Sequence, residues 1–208
     1  MIGPLNSSPS ELRRHGPSRG CAIVCALIWA TLLFVAQVQA AVQSPDPALR
    51  ERLEEAMQEP ASFPDRFEAQ VWLTDMALRL GNQVLDPEER VFILKQVHWE
   101  ATRVELPPEM VLAVIDIESA FDAYAVSVAG AQGLMQVMPF WLEEIGLPGD
   151  RLVDIKTNLR MGCTILRYYY DMEKGDWIRA LGRYNGSLGR REYPEKVLNR
   201  LRLRWFRH

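Results

Sequence analysis

Apolar residues recur three and four positions apart through much of the chain, and almost no segment alternates strictly between apolar and polar residues. The pattern predicts a mainly α fold. Asp65, Asp86 and Asp176 each precede an amphipathic run, as residues that cap the first turn of a helix do. An additional charged helix is expected over residues 47–59.

The segment from Pro107 to Glu118 shows the clearest helical pattern. Two prolines stand where the first turn of a helix tolerates them, because the N–H that proline lacks has no partner there. Val111, Val114, Ile115 and Glu118 are then spaced i, i+3, i+4 and i+7, which places them on one stripe of the helix. A carboxyl is therefore predicted on the face that packs into the core.

The position of Glu118 matters because burial disfavours the charged form of a carboxyl and raises its pKa. A carboxyl that keeps its proton near neutral pH can act as a general acid. Asp116 lies about 200° away around the same helix and is expected to face outward. Glu118 is thus the candidate catalytic acid.

Glu118 also opens an ordered series of motifs. Glu118-Ser119 is followed by Ser127, by Gly-Ala-Gln-Gly-Leu-Met-Gln at 130–136 and by Met138-Pro139. Further along the chain stand Asp154, Asn158, Gly162 and the pair Tyr184-Asn185. This series resembles the catalytic core of the soluble-type lytic transglycosylases, the SLT family, which is related to goose-type lysozyme. The resemblance covers roughly residues 104–198.

The resemblance implies a lysozyme-like (goose-type) transglycosylase SLT domain at 104–208, preceded by an N-terminal helical extension at 41–103. It implies cleavage of the β-1,4 bond between N-acetylmuramic acid and N-acetylglucosamine in peptidoglycan, with a 1,6-anhydromuramoyl product. Glu118 would be the single catalytic carboxyl of this lyase, and peptidoglycan glycan strands would be its partner. No cofactor is implied.

The resemblance also implies roles for five substrate-binding residues. Ser127 would hold the acetamido group of the substrate or the acid itself. Met135 and Gln136 would line the groove near the cleaved bond. Tyr184 would form a hydrogen bond close to the acid, and Asn185 would fix the local backbone.

Two departures from the family pattern keep alternatives open. Gly-Ser-Leu-Gly at 186–189 stands where the family usually has Ala-Gly-Pro-Gly, and Asp122-Ala123 replaces a common Asn-Pro. One alternative is a hydrolytic muramidase on the same fold. Another is a non-catalytic protein that binds peptidoglycan.

The first 40 residues resemble a secretory leader. Three arginines precede an apolar run at 21–36, and small residues follow at 38–40. The run of about 16 residues is short for a membrane span. The pattern predicts a signal peptide at 1–40 and a periplasmic or secreted protein. The alternative is an uncleaved inner-membrane anchor that tethers an enzyme serving an envelope assembly.

Charge excludes one class of function. The 208 residues carry a net charge of −3, and residues 41–208 hold 21 basic against 26 acidic residues, a net charge of −5. A general nucleic-acid binder needs a basic footprint, so no nucleic-acid partner is expected. The sequence shows no Cys/His cluster typical of a metal site, so no metal is expected either.

The tail from Glu195 to His208 combines an apolar stripe with arginines. The stripe is Val197, Leu201 and Trp205, and the arginines around it are Arg200, Arg202, Arg204 and Arg207. A terminal helix with a solvated basic face is one interpretation. Peripheral contact with an anionic cell-wall or membrane surface is the other.

Overall fold

The computed structural model describes residues 62–206, and every regular element in that range is helical. The α-helices are α1 (Arg66–Leu80), α2 (Pro87–Arg103), α3 (Pro108–Glu118), α4 (Phe140–Ile145), α5 (Ile155–Met172), α6 (Trp177–Tyr184) and α7 (Glu192–Arg200), followed by a π-helical turn, Leu201–Trp205. The prediction of a mainly α fold is confirmed. The expected leader and the expected helix at 47–59 lie outside the described residues.

Aspartates begin four of these helices by accepting backbone hydrogen bonds. Asp65 accepts from the N–H of Glu68 at 2.8 Å, which begins α1. Asp86, Asp154 and Asp176 do the same for α2, α5 and α6. Each carboxylate satisfies an N–H that has no partner within its helix. The starts predicted at Asp65, Asp86 and Asp176 are confirmed.

Helix α3 lies at the centre of the fold. Every residue from Met110 to Asp116 is buried, so α3 is enclosed on all sides over most of its length. Its apolar residues join those of α1, α2 and α5 in one hydrophobic cluster. The last turn of α3 is less enclosed, and Glu118 ends the helix at the edge of this core.

The expectation that Asp116 faces outward is wrong. Asp116 is only 6% exposed, because the C-terminal segment covers that side of α3. Its carboxylate accepts hydrogen bonds from Trp205 Nε1 at 2.9 Å and from Gln83 Nε2 at 2.9 Å. Arg204 pairs with it at 3.2 Å. A buried carboxylate is tolerated here because these donors and a cation replace the water it loses.

The basic tail therefore takes part in the fold. Trp205 is fully buried, and Arg204 both pairs with Asp116 and donates to the carbonyl of Arg79 at 2.7 Å. The interpretation as a solvated basic face is wrong for Arg204. Arg202 is exposed, and Arg207 lies outside the described residues.

The chain between α3 and α4 forms a loop with a little β pairing. Antiparallel bridges link Val126 to Gln132 and Gln132 to Val137. This loop contains most of the SLT-like motif, and it begins directly at the end of the helix that carries Glu118. None of the helices within 62–206 has both the length and the apolar character that a bilayer crossing requires.

Candidate active site

Glu118 is the most chemically distinctive side chain of the site. Its carboxyl lies at the edge of the core, and Tyr193 donates a hydrogen bond from its hydroxyl to Oε1 at 2.6 Å. Burial raises the pKa of Glu118 to about 7, and the hydrogen bond from Tyr193 acts in the opposite direction. With Oε1 occupied as an acceptor, Oε2 is the oxygen that can carry the proton.

Tyr193 comes from a distant part of the chain. It lies in the first turn of α7, which packs against α3. Burial and the nearby charge of Glu118 raise the pKa of Tyr193 well above its ordinary value, so the phenol keeps its proton and remains a donor. Tyr193 was not among the predicted site residues, because the terminal helix was expected only from Glu195 onward. Pro194 was the available signal, since proline favours the first turn of a helix.

The end of α3 is fixed to the loop that follows it. Ser119 donates from Oγ to the carbonyl of Leu134 at 2.8 Å. Ala120 and Phe121 then adopt positive φ values of 51° and 70°, which reverse the chain sharply after the acid. Such values are uncommon outside glycine, and they persist where the surrounding structure imposes them.

Asn158 holds the loop from below. It is 1% exposed, and its side chain makes three hydrogen bonds to backbone groups. Oδ1 accepts from the N–H of Met135 at 2.8 Å, and Nδ2 donates to the carbonyls of Gln132 at 2.8 Å and Leu152 at 2.7 Å. The amide thus fixes the backbone on both sides of the glycine-leucine segment at 133–134.

Two glycines make this close approach possible. A Cβ added to Gly133, whose φ is +75°, would lie 2.4 Å from Nδ2 of Asn158. A Cβ added to Gly162 on α5 would lie 2.5 Å from Sδ of Met135. Side chains at either position would push the loop away from α5.

Met135, Gln136 and Tyr184 come together in the structure. Tyr184 donates from its hydroxyl to the carbonyl of Met135 at 2.7 Å, and the charge of Glu118 contributes to the raised pKa of Tyr184, after the larger effect of burial. The side chain of Met135 is fully buried, so it supports the loop from inside. Gln136 donates from Nε2 to the carbonyls of Ala125 and Gly133 at 3.1 and 3.0 Å.

Ser127 and Asn185 occupy outer positions. Ser127 accepts from the N–H of Ala131 at 3.0 Å and so closes its own loop. Asn185 is exposed and ends α6. Gly186 and Gly189 follow it with φ values of 71° and 90°, so the altered turn has a glycine at both of its left-handed positions.

The other two carboxyls near Glu118 in sequence do not share its setting. Asp122 is exposed and caps its own turn through the N–H of Tyr124. Asp116 is engaged on the opposite side of α3. Among residues 62–206, no cluster of three or more His, Cys, Asp or Glu side chains could hold a metal ion.

A helical domain that shelters one carboxyl at the end of a buried helix, beside a tightly held glycine-containing loop, has the arrangement of a general-acid site. Comparison with known proteins gives the family. Residues 97–199 match the transglycosylase SLT domain, and through these residues the chain belongs to that family.

Individual relatives agree with this assignment. The chain is 33% identical over 101 residues to membrane-bound lytic murein transglycosylase D of Escherichia coli K12, which covers 45% of this chain and 22% of the relative. It is 32% identical over 94 residues to the soluble lytic murein transglycosylase of the same organism. This match covers 41% of this chain and 15% of the relative. A transglycosylase of Enterobacteria phage PRD1 is 30% identical over 117 residues, a match that covers 50% of this chain and 43% of the relative.

The chain spans less than half the length of each of these relatives. Among solved structures, the 70 kDa soluble lytic transglycosylase of Escherichia coli is similar over 86% of this chain and 29% of that one, with 23% identity and a TM-score of 0.42.

Proposed function

We propose that this chain is a peptidoglycan lytic transglycosylase that uses Glu118 as its single catalytic carboxyl. The observation that carries the proposal is the raised pKa of Glu118, about 7, on a side chain whose only role in the described hydrogen bonding is to accept from Tyr193. Such a carboxyl is protonated in a useful fraction of molecules at neutral pH. The family match and the names of the relatives, which are lytic murein transglycosylases, support peptidoglycan as the substrate class.

The reaction needs one group that first gives and then takes a proton. Glu118 protonates the oxygen that bridges C1 of N-acetylmuramic acid and C4 of N-acetylglucosamine, and the C1–O bond breaks. The 6-hydroxyl of the same muramoyl residue then forms a bond to C1, and its proton passes to the Glu118 carboxylate. Because the nucleophile is part of the substrate, positioning replaces the second carboxyl of a hydrolytic glycosidase.

The surrounding residues position the acid and the loop in this proposal. Tyr193 orients the carboxyl by donating to Oε1, which leaves Oε2 to present its proton to the substrate. Tyr184 and Asn158 fix the backbone of Met135 from two sides. Ser127, Gln136 and Asn185 lie further out and are proposed as substrate contacts.

The location and organisation of the protein follow from the substrate. Peptidoglycan lies outside the cytoplasmic membrane, so residues 1–40 would serve as an export signal that delivers the enzyme to the periplasm. Residues 41–103 would form a helical extension and 104–208 the catalytic domain.

Mass spectrometry of digested sacculi tests the activity. The wild-type chain should release muropeptides with 1,6-anhydro ends, which are about 18 Da lighter than reducing ends because no water is added. Products with reducing ends would instead establish a hydrolytic muramidase. Binding to sacculi without release of fragments would establish a non-catalytic protein.

A further inference from the structure

A basic groove lies between the end of α1 and the C-terminal segment, and it encloses about 1120 Å³. Neither Glu118 nor Tyr193 lines it, so it is distinct from the candidate active site. Within the described part of the chain none of its nine lining residues is acidic. Four of them are cationic, namely Arg79, Lys196, Arg200 and Arg204.

Two of these cations are balanced by carboxylates beneath the groove. Asp75 pairs with Arg79 at 2.8 Å, and the buried Asp116 pairs with Arg204 at 3.2 Å. These two arginines therefore hold the C-terminal segment against the core. Helix α7 also carries two acidic residues that do not line the groove, Glu192 and Glu195.

The other cations form a surplus at the mouth of the groove. Arg200 lies 3.7 Å from Asp116, which is already occupied at shorter distances, and its side chain is 42% exposed. Lys196 and Arg202 are exposed, and no described carboxylate pairs with either of them. Arg202 instead donates to Oδ1 of Asn199, another lining residue, at 2.9 Å. Three cations are thus available to an anionic partner.

Large apolar side chains are exposed beside these cations. Leu203 lines the groove and is 79% exposed, and Phe206 is 52% exposed. Trp205 between them is fully buried, and Arg79 donates to the carbonyl of Phe206 at 3.2 Å. The segment is therefore anchored at fixed points, and it presents apolar and cationic side chains together on its outer side.

The surface of an anionic bilayer matches this combination. Each Lys or Arg near such a surface strengthens binding by about fivefold, and exposed apolar side chains enter the boundary between headgroups and acyl chains. A soluble polyanion would satisfy the cations but would leave Leu203 and Phe206 in water. The groove also contains amides that can donate to headgroup oxygens, those of Asn82, Gln83 and Asn199.

We propose that this surface binds a bilayer that contains anionic phospholipid. The surface is called the C-terminal face, and it consists of Lys196, Arg200, Arg202, Leu203 and Phe206. Lipid phosphates meet the cations at the mouth of the groove, while the two apolar side chains enter the headgroup region. The C-terminal segment covers Asp116 on the opposite side of α3 from Glu118, so a bound chain keeps its candidate acid on the far side of that helix from the bilayer.

Hydroxyl-radical footprinting of the full chain measures this contact residue by residue. Vesicles of phosphatidylcholine and phosphatidylglycerol should lower the oxidation of Leu203 and Phe206 by about threefold or more. Phe67 is the internal control, because it is 76% exposed and lies at the opposite end of α1 from Arg79. Vesicles of phosphatidylcholine alone should protect none of the three. Unchanged oxidation of Leu203 and Phe206 relative to Phe67 on the anionic vesicles would overturn the proposal.

The double variant Lys196→Gln/Arg200→Gln tests the cations. The vesicle concentration that gives half-maximal protection of Phe206 should rise about tenfold, because two charges of the C-terminal face are lost. Arg66→Gln/Arg151→Gln is the matched control, since it removes two exposed cations that do not line the groove. It should keep the wild-type value. An equal rise in both double variants would show that net charge, and not the C-terminal face, sets the affinity, and the proposal would fail.

Leu203→Ser separates a bilayer from a soluble polyanion. The variant should bind the anionic vesicles about fivefold more weakly, because an apolar side chain no longer leaves water, and it should bind heparin as the wild type does. Leu147→Ser, which alters a 61% exposed leucine after α4, should change neither affinity. If Leu203→Ser binds the vesicles as tightly as the wild type, and heparin protects Phe206 as well as the vesicles do, the partner is a soluble polyanion and the proposal is overturned.

Discussion

Asp116 and Glu118 are two residues apart on α3, yet their surroundings differ completely. Asp116 is covered by the C-terminal segment and receives two hydrogen bonds from neutral donors, Trp205 and Gln83, together with the cation of Arg204. Glu118 is sheltered as well, but Tyr193 is the donor on its carboxyl and no described cation pairs with it. Burial alone therefore does not decide what a carboxyl does, because its role also depends on the donors and cations that meet it.

Replacing each carboxyl with its amide should give the largest difference between the two residues. Glu118→Gln removes the acidic proton and should lower kcat on sacculi by about 10²- to 10⁴-fold. Asp116→Asn should keep most of the turnover per folded molecule, since Asp116 is buried under the C-terminal segment on the opposite side of α3 from Glu118. Muropeptide release measured against the folded fraction checks both, and equal losses in the two variants would contradict the assignment of the acid.

Asp116→Asn should instead reduce stability. The variant leaves Arg204 beside a neutral amide in a largely buried place, which should lower the free energy of unfolding by about 3 kcal/mol. Urea denaturation measures this. The control is Asp75→Asn, which breaks a more exposed ion pair with Arg79 and should lower it by less than about 1 kcal/mol. Similar losses in both variants would show that the contact between Asp116 and the C-terminal segment contributes little to the free energy of unfolding.

The pH dependence of stability should reveal the proton on Glu118. Its folded pKa of about 7 lies above the ordinary 4.5, so the native state holds a proton that the unfolded chain releases between these values. Stability is therefore fully present below about pH 4.5 and is lost as pH rises through about 7, by about 3 kcal/mol.

Glu118→Gln should abolish that loss, so that the variant is more stable than the wild type at pH 8. Urea unfolding at several pH values from 4 to 8 checks it. The control is Glu144→Gln, which removes an exposed carboxyl on α4 and should follow the wild-type curve. A Glu118→Gln curve parallel to that of the wild type would refute the raised pKa.

Tyr193→Phe should have the smallest effect. The hydrogen bond from Tyr193 lowers the pKa of Glu118, so its removal should move the alkaline limb of kcat/KM upward by about one pH unit. Tyr184→Phe is the matched control, because Tyr184 bonds to the carbonyl of Met135. It should change the rate without moving that limb, and an identical displacement in both variants would argue against a specific role for Tyr193.

Local signals predicted much of the fold. Aspartate caps located the starts of α1, α2 and α6, and the spacing of apolar residues identified α3. Helix α5 begins at Ile155 in the same way, with Asp154 accepting a hydrogen bond from the N–H of Thr157.

The partners of each carboxyl could not be predicted in the same way. Which side chains meet Asp116 or Glu118 depends on contacts between distant positions, which are 33 residues apart for Gln83 with Asp116, 75 for Tyr193 with Glu118 and 89 for Trp205 with Asp116. Helical periodicity predicts which side of its helix a residue faces, but it does not predict which other segment packs against that side. The resemblance to the SLT family identified Glu118, Tyr184 and Asn158, but Tyr193 lay outside the motif positions it covered.

Contacts between distant segments at Glu118 make its ionisation a measure of tertiary integrity. The raised pKa comes from burial of the carboxyl, and α7 contributes to that burial by docking Tyr193 against α3. In any partly opened form, the pKa of Glu118 should fall to that of a free glutamate. The carboxyl would then be ionised at neutral pH and could not donate a proton. In the proposed reaction, Glu118 would therefore act as an acid only while α7 is docked, and the ¹³C chemical shift of its carboxyl would report that docking.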